Sequence, residues 1–289
     1  MFLRRLEEAQ SSIDDCLSSI FREFGPHDLV DAMRYAVAGG KRMRGFLVLA
    51  GSKLHDVPAQ QAVRAATAVE CLHGYSLVHD DLPCMDNDEL RRGMPTVHKK
   101  WNESLAVLTG DALQSLAYQI LAEAETSPHG DVRAELVRSL ALAAGASGIA
   151  LGQALDIAAE SAETPPTREE IELLQSRKTG SLLCWSAQAG PRLARDDDAP
   201  LRKFAEALGL AYQIADDIVD AEGDPAVAGK RLRKDAGAGK ATLVSLLGIE
   251  AARETGRKLV EQACGALDPY GAKAHDLREA AKFAIERGK

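Results

Sequence analysis

The stretch AVRAATAVECLHGYSLV, residues 62–78, constrains the fold more than any other part of the chain. Turned at about 100° per residue it is apolar on nearly every side, the mark of a buried helix that other elements must enclose. The rest of the sequence supplies them. Apolar residues recur at helical spacing in segments near 2–22, 28–38, 42–54, 58–82, 101–124, 130–158, 167–194, 197–222, 240–265 and 271–287. Turn-forming clusters such as FGPHD, AGGK, RRGMP, TPPT and AEGDP punctuate them. Neither alternating strands nor an internal repeat stands out. Aromatic residues make up 4% of the chain while Ala and Leu recur throughout, a composition suited to closely packed helices. The expectation is one all-α domain over residues 1–289.

Several function classes fall away on composition. The N-terminus MFLRRLEEAQ is charged early and lacks the apolar core of a signal peptide. No run of 18 or more uninterrupted apolar residues exists, so no membrane span is expected. Cys16, Cys71, Cys84, Cys184 and Cys264 form no CxxC pair and no His-spaced zinc pattern, which fits reduced thiols in a cytoplasm. A net charge of −8 argues against a general nucleic-acid binder.

Two acidic clusters carry the chemistry: DDLPCMDND at 80–88 and DDIVD at 216–220. In the second, Ala207, Ala211, Ile214 and Ile218 form an apolar stripe, and Gln213, Asp216, Asp217 and Asp220 fall opposite it. An amphipathic surface helix would show the same arc. Against that, no Lys or Arg lies three or four residues away to pair with these carboxylates. In the first cluster Asp80 falls in line with Val69, His73 and Ser76, at the end of the buried helix. Pro83 ends or distorts that helix, and the break is a way of returning Asp86 to the side of Asp80. Inward carboxylates want a metal or a cation. The run DNDELRRG lacks the spacing of a calcium loop, and all-oxygen ligands suit Mg²⁺ before Zn²⁺. Mg²⁺ commonly takes one or two carboxylates together with substrate phosphates.

Fixed positive charge is concentrated in a few places. AGGKRMRG supplies Lys41, Arg42 and Arg44 after a glycine pair at a helix start, where amide N–H groups favour anions. LRRGMP adds Arg91 and Arg92, RKTG adds Lys178 and Thr179, GKRLRKD adds Lys230 onward, and GAGKAT adds Lys240. Any one of these runs could be a solvated face. GAGKAT is not a nucleotide loop, because Lys234 and Ala241 stand where that pattern needs Gly and Ser or Thr.

Taken together and in order, VHDDLPCMDNDELRRGMPTVHKKW, YQIADDIVD, GGKRMRGFLVL and RKTGSL resemble the trans-isoprenyl diphosphate synthases, in particular those of bacteria that make farnesyl diphosphate. The resemblance is collinear from about residue 28 to the C-terminus. It implies a helical bundle around a central cavity, an isoprenoid-synthase fold, in a homodimer. It implies further that Asp80, Asp81, Asp86, Asp216, Asp217 and Asp220 bind Mg²⁺, about three ions with substrate present. Lys41, Arg44, His73 and Arg92 match the isopentenyl diphosphate site. Arg91, Lys178, Thr179, Gln213, Lys230 and Lys240 match the contacts to the allylic diphosphate. Asp80, Asp81, Asp86, Lys178, Asp216 and Asp217 would be the catalytic set.

The implied product is farnesyl diphosphate, because Tyr75 stands one and a half turns below Asp80, where a growing apolar tail should pass, and Ser76 beside it is too small to obstruct. Tyr75 as an ordinary core residue is the alternative. Within the family, geranylgeranyl or geranyl diphosphate synthases are rivals. A non-catalytic regulatory subunit would be expected to lose an aspartate motif, and a terpene cyclase has no need of Lys41, Arg44 and His73. Gly45, Arg233 and Leu243–Val244 replace a Pro, a Gly and a Tyr-Pro pair common in the family. Residues 223–239 read as a mobile lid over the diphosphates, with Arg287 a candidate to help close it.

Overall fold

The computed structural model describes residues 2–160, 162, 164, 166–222 and 242–285. Calls on Lys230, Arg233, Lys240, Arg287 and the 223–239 segment therefore lie outside the described residues. The described chain is helical apart from one short hairpin. It divides into two compact units, Met1–Arg138 with Ala189–Asp196, and Ser139–Gln188 with Asp197–Lys289.

The first unit is built around the helix singled out above. Helices α1 (Phe2–Glu23), α2 (Asp28–Val37), α3 (Met43–Leu54) and α6 (Glu103–Ala122) all pack on α4 (Ala59–Asp80). Residues 65–72 of α4 are buried without a break, with no polar stripe between them. Ala65, Ala66 and Ala68 carry small side chains there, which lets neighbouring helices come close while each contact still gains burial. A satellite core of Ala32, Val78, Leu82, Val97 and Ala106 closes the end near Asp80, with Tyr35 and Trp101 set edge to face at 5.2 Å. The short α5 (Val97–Lys100) follows the hairpin, and α7 (Gly130–Ala144) follows α6.

That hairpin is the one strand pair among the described residues and was not expected. Strands β1 (Leu90–Arg91) and β2 (Met94–Pro95) pair antiparallel across the two residues Arg92 and Gly93. Both linking residues have positive φ, 55° and 74°, the sign pattern of a tight two-residue hairpin turn. Two residues per strand are too few to show alternation in sequence.

In the second unit, α8 (Ile149–Glu160), α9 (Arg168–Gln175) and α11 (Ala199–Glu222) surround a π-helical turn, Ser176–Gly180, that leads into α10 (Ser181–Ala194). Ile171, Ile214, Leu243, Val244 and Ala252 form a core where α11 meets α12 (Leu243–Leu247) and α13 (Ile249–Ala266). A 3₁₀ turn, Asp268–Ala274, precedes α14 (His275–Ile285). Trp185 is 2% exposed and its indole N–H donates to Ser139 Oγ at 3.0 Å. Truncating such a residue costs about 3–5 kcal/mol.

Four helical expectations need correction. The segment 130–158 is two helices, not one, because the chain turns at 145–148, where the Ser147 hydroxyl bonds the Leu142 carbonyl in competition with the helix. One stretch, Gly130–Ala159, is apolar enough by composition to cross a membrane. Its two helices have 15 and 12 residues, and a span needs about 20. The segment 167–194 is interrupted by the π turn. The segment 240–265 breaks at Gly248, where φ is 79°, and the last helix starts at His275 instead of 271.

Candidate active site

In the first unit, the AGGKRMRG motif becomes a bend between two helices. After α2 the chain passes through Gly39 and Gly40 at φ 70° and 84°, conformations open to glycine at little cost. A side chain at Gly40 would also strike Arg92, whose Cζ lies 2.8 Å from the position of a Cβ. Arg92 reaches here from the hairpin and donates from Nη1 to the Ala38 carbonyl at 2.6 Å and the Gly39 carbonyl at 3.2 Å. Lys41 is exposed and opens the next segment. Arg44, in the first turn of α3, places Nη1 3.2 Å from His73 Nε2 on α4. Its buried Nε has no hydrogen-bond partner among the described residues. Arg44, His73 and Arg92 thus come near one another from three sequence regions.

The protonation of His73 follows from its neighbours. Burial, and then Arg44, Arg92, Arg91 and Arg42, hold the imidazole well below its ordinary range. Arginine only donates, so Nε2 is the acceptor and the ring is the neutral Nδ1–H form. Arg42 has a different fate from its neighbours. It is 4% exposed, and its guanidinium grips Asp14 at 2.6 Å and the Val37 carbonyl at 2.5 Å. It belongs to the framework.

The first aspartate cluster closes on itself. Helix α4 ends at Asp80, as Pro83 requires, and the Asp86 N–H donates to the Asp80 carbonyl at 2.8 Å. The return of Asp86 toward Asp80 is therefore made by the main chain. Asp80 is half-buried and Asp86 exposed. Asp81 behaves otherwise: it is 4% exposed and gripped by Arg91, with Nε 3.1 Å from Oδ1 and a second, shorter contact from Nη2. Burial raises the Asp81 carboxyl above its ordinary range, and Arg91 pulls it back. Below this cluster Tyr75 stacks edge-on to His79 at 5.2 Å. Burial, then the charges of Asp80 and Asp111, raise its phenol, against a hydrogen bond with Gln114. Ser76 is buried, its hydroxyl bonded to the His73 carbonyl at 2.9 Å.

In the second unit, one polar network joins the RKTG and DDIVD motifs. Thr179 Oγ1 donates to Gln213 Oε1 at 3.1 Å, and Gln213 Nε2 donates to Asp217 Oδ1 at 2.9 Å. Gln175 Nε2 lies 3.4 Å from the other oxygen of Asp217. Asp217 and Asp220 are 4% and 9% exposed and Asp216 is half-buried. An arc of solvated surface acids would not be buried in this way, so the surface-helix alternative fails. Lys178 Nζ bonds Asp156 Oδ2 at 2.6 Å. The π turn carrying Lys178 and Thr179 sits against Gly152 of α8, where a Cβ would fall 2.2 Å from the Lys178 nitrogen. Sequence reasoning missed Asp156, Gln175 and Glu70. Each meets its partner across elements, which periodicity cannot register.

The polyprenyl synthetase family model matches residues 26–282. The chain belongs to the polyprenyl synthetase family. This polyprenyl synthetase is 40% identical to the farnesyl diphosphate synthase of Escherichia coli, with 100% of this chain and 99% of that protein covered. Its fold is similar to the solved FPP/GFPP synthase of Zymomonas mobilis, at TM-score 0.88 and 43% identity over 97% of this chain and 99% of that one. It is also similar to the geranyltransferase of Helicobacter pylori complexed with magnesium and isoprenyl diphosphate, at TM-score 0.81 and 31% identity over 98% and 96% of the two chains. Like its family, it is an all-helical trans-prenyltransferase.

Proposed function

We propose that the chain joins dimethylallyl and then geranyl diphosphate head to tail with isopentenyl diphosphate, giving (2E,6E)-farnesyl diphosphate and diphosphate. One observation carries the reading: motifs far apart in sequence gather, within each unit, into a set suited to one diphosphate. Arg44 and Arg92 lie near neutral His73 in the first unit, with a buried arginine N–H still to be used, and Lys41 is the further cation of the set. Thr179, Gln213 and Asp217 form a linked set of the second, with Lys178 beside Thr179 held by Asp156. In this reading the two units make up a single catalytic domain.

The donor chemistry fits Mg²⁺. Every candidate ligand is a carboxylate oxygen. That suits an ion which takes one or two carboxylates and completes its shell with phosphate and water. Asp80, Asp81, Asp86, Asp216, Asp217 and Asp220 are the ligands in this reading, with about three ions when substrate is present. Asp81, already held by Arg91, also orients that arginine toward the allylic diphosphate. Bound Mg²⁺ supplies charge neutralisation to the departing diphosphate.

The residues divide the remaining work. Lys178 and Thr179 hold the allylic diphosphate while its C1–O bond breaks, with Arg91, Lys230 and Lys240 as further contacts. Arg44, Lys41 and Arg92 fix the isopentenyl diphosphate so that its double bond faces the resulting cation. Neutral His73 accepts from Arg44 and keeps that guanidinium aimed. The new bond joins C4 of isopentenyl diphosphate to the allylic C1, and the proton lost from C2 passes to the released diphosphate. Tyr75, about 7.5 Å below Asp80 along α4, is the floor that stops growth at C15. The Zymomonas relative, described as an FPP/GFPP synthase, favours a longer product as the second reading. Exposed Val107 and Leu108 on α6 supply apolar surface for a homodimer, and reduced cysteines suit a cytoplasmic enzyme.

The test is one incubation with Mg²⁺, labelled isopentenyl diphosphate and either starter, followed by product sizing. A C15 product, abolished by chelation, is expected. A C20 or longer product would move the assignment to a longer-chain synthase, and no incorporation would leave a cyclase or a regulatory subunit.

A further inference from the structure

Helix α3 starts without an ordinary cap. Its N-cap residue Arg42 is left-handed, at φ 50° and ψ 35°, and its side chain makes no capping bond. The first N–H groups of any helix lack partners within it. Here one is met from outside: the Gly45 N–H donates to Glu70 Oε1 on α4 at 2.8 Å. The other oxygen of the same carboxylate lies 3.5 Å from Arg42 Nη1. Glu70 and Arg42 are 3% and 4% exposed. Through Arg42, which also holds Asp14 on α1 and Val37 at the end of α2, this pair ties the start of α3 to three other helices.

The backbone fixed in this way carries the diphosphate-binding cations. Lys41 and Arg44 flank Arg42 in sequence, and His73 follows Glu70 by three residues, on the same side of α4. One carboxylate therefore bridges the helix bearing Arg44 and the helix bearing its partner His73. A Pro at position 45 would have no N–H to give; Gly45 has that donor and uses it on Glu70.

We propose that Glu70 is a positioning residue for isopentenyl diphosphate binding, holding the first turn of α3 so that Lys41 and Arg44 meet the diphosphate. The proposal rests on the assignment of Lys41, Arg44 and His73 made above. Glu70→Gln keeps an acceptor for the Gly45 N–H but removes the charge opposite Arg42. In the full-length enzyme it should raise KM for isopentenyl diphosphate about tenfold, while kcat and KM for geranyl diphosphate stay within about twofold. A general loss of folding would lower apparent kcat and leave both KM values unchanged, so an equal rise in both KM values, or no rise, overturns the proposal. Should Glu70→Gln lose cooperative thermal unfolding, Glu70→Asp keeps the charge but withdraws from Gly45, and is read by the same split. Arg44→Ala separates the two levels. If it leaves the isopentenyl diphosphate KM unchanged, the site assignment itself fails; if it raises that KM while Glu70→Gln does not, only the role of Glu70 falls.

Discussion

Replacing Gly39 and Gly40 by alanine, one at a time, isolates the contact that joins the glycine bend to Arg92. Both residues have positive φ, at 70° and 84°, so each alanine pays about 1–2 kcal/mol for the left-handed backbone. Only Gly40 is crowded. A Cβ at Gly39 meets nothing within 4 Å, whereas at Gly40 it sits 2.8 Å from Arg92 Cζ and Nη2. The guanidinium must retreat, giving up its bonds to the Ala38 and Gly39 carbonyls at 2.6 and 3.2 Å. Bonds to a charged donor are worth about 1.5–3 kcal/mol each when buried, and exposure at this surface reduces that. The expected excess of Gly40→Ala over Gly39→Ala is about 1–2 kcal/mol in stability, and the displaced guanidinium should also raise KM for isopentenyl diphosphate in Gly40→Ala alone. Urea unfolding reports the stability, with unchanged m-values as the sign that the native state is intact. Steady-state kinetics report KM for isopentenyl diphosphate. Should the two variants match in both measurements, Arg92 does not depend on the Gly40 approach and the reasoning fails.

Gly152→Ala should lower kcat and cost about 1–3 kcal/mol in denaturant unfolding, because the new methyl meets the main chain at Lys178 and not a side chain able to swing away; wild-type values in both assays would contradict it. His73 is held neutral by burial and by Arg44, Arg92, Arg91 and Arg42, while in the unfolded chain it takes up a proton at about pH 6.5. Its contribution to stability is therefore complete above that pH and lost as the pH falls below it. Unfolding at pH 7.5 and 5.5 should show the wild type losing more on acidification than His73→Gln, and equal losses would refute the assignment. Tyr75→Ala should shift product from C15 toward C20, read by chromatography of the dephosphorylated alcohols, and an unchanged C15 product would remove Tyr75 from the role of floor.

The helices were legible because burial leaves a period in the sequence: α4 reads as enclosed, and the structure encloses it. Interruptions were not. The π turn at Ser176–Gly180 and the bend at 145–148 shift direction without disturbing overall apolarity, and the hairpin at Arg92–Gly93 is shorter than any alternation. In the site, the carboxylates and their neighbours were readable as charge clusters, but their partners were not. Arg42 and Arg44 are chemically alike and two residues apart, and only the position of α1 and α4 decides that one is buried against Asp14 and Glu70 while the other faces His73. Asp156, which holds Lys178, sits in an otherwise unremarkable helix.

The widened turn at Ser176–Gly180 has an evolutionary corollary. Such a turn holds one residue more than an α-helix would. Removing any one of its five residues would let α9 run straight into α10 as a continuous rod with better internal hydrogen bonding. The same deletion would rotate Lys178 or Thr179 by about 100° away from Asp156 and Gln213. If Lys178 and Thr179 hold the allylic diphosphate as proposed, the mutant easiest for the backbone to accept is among the worst for turnover, and selection has to defend this irregularity against a more regular helix.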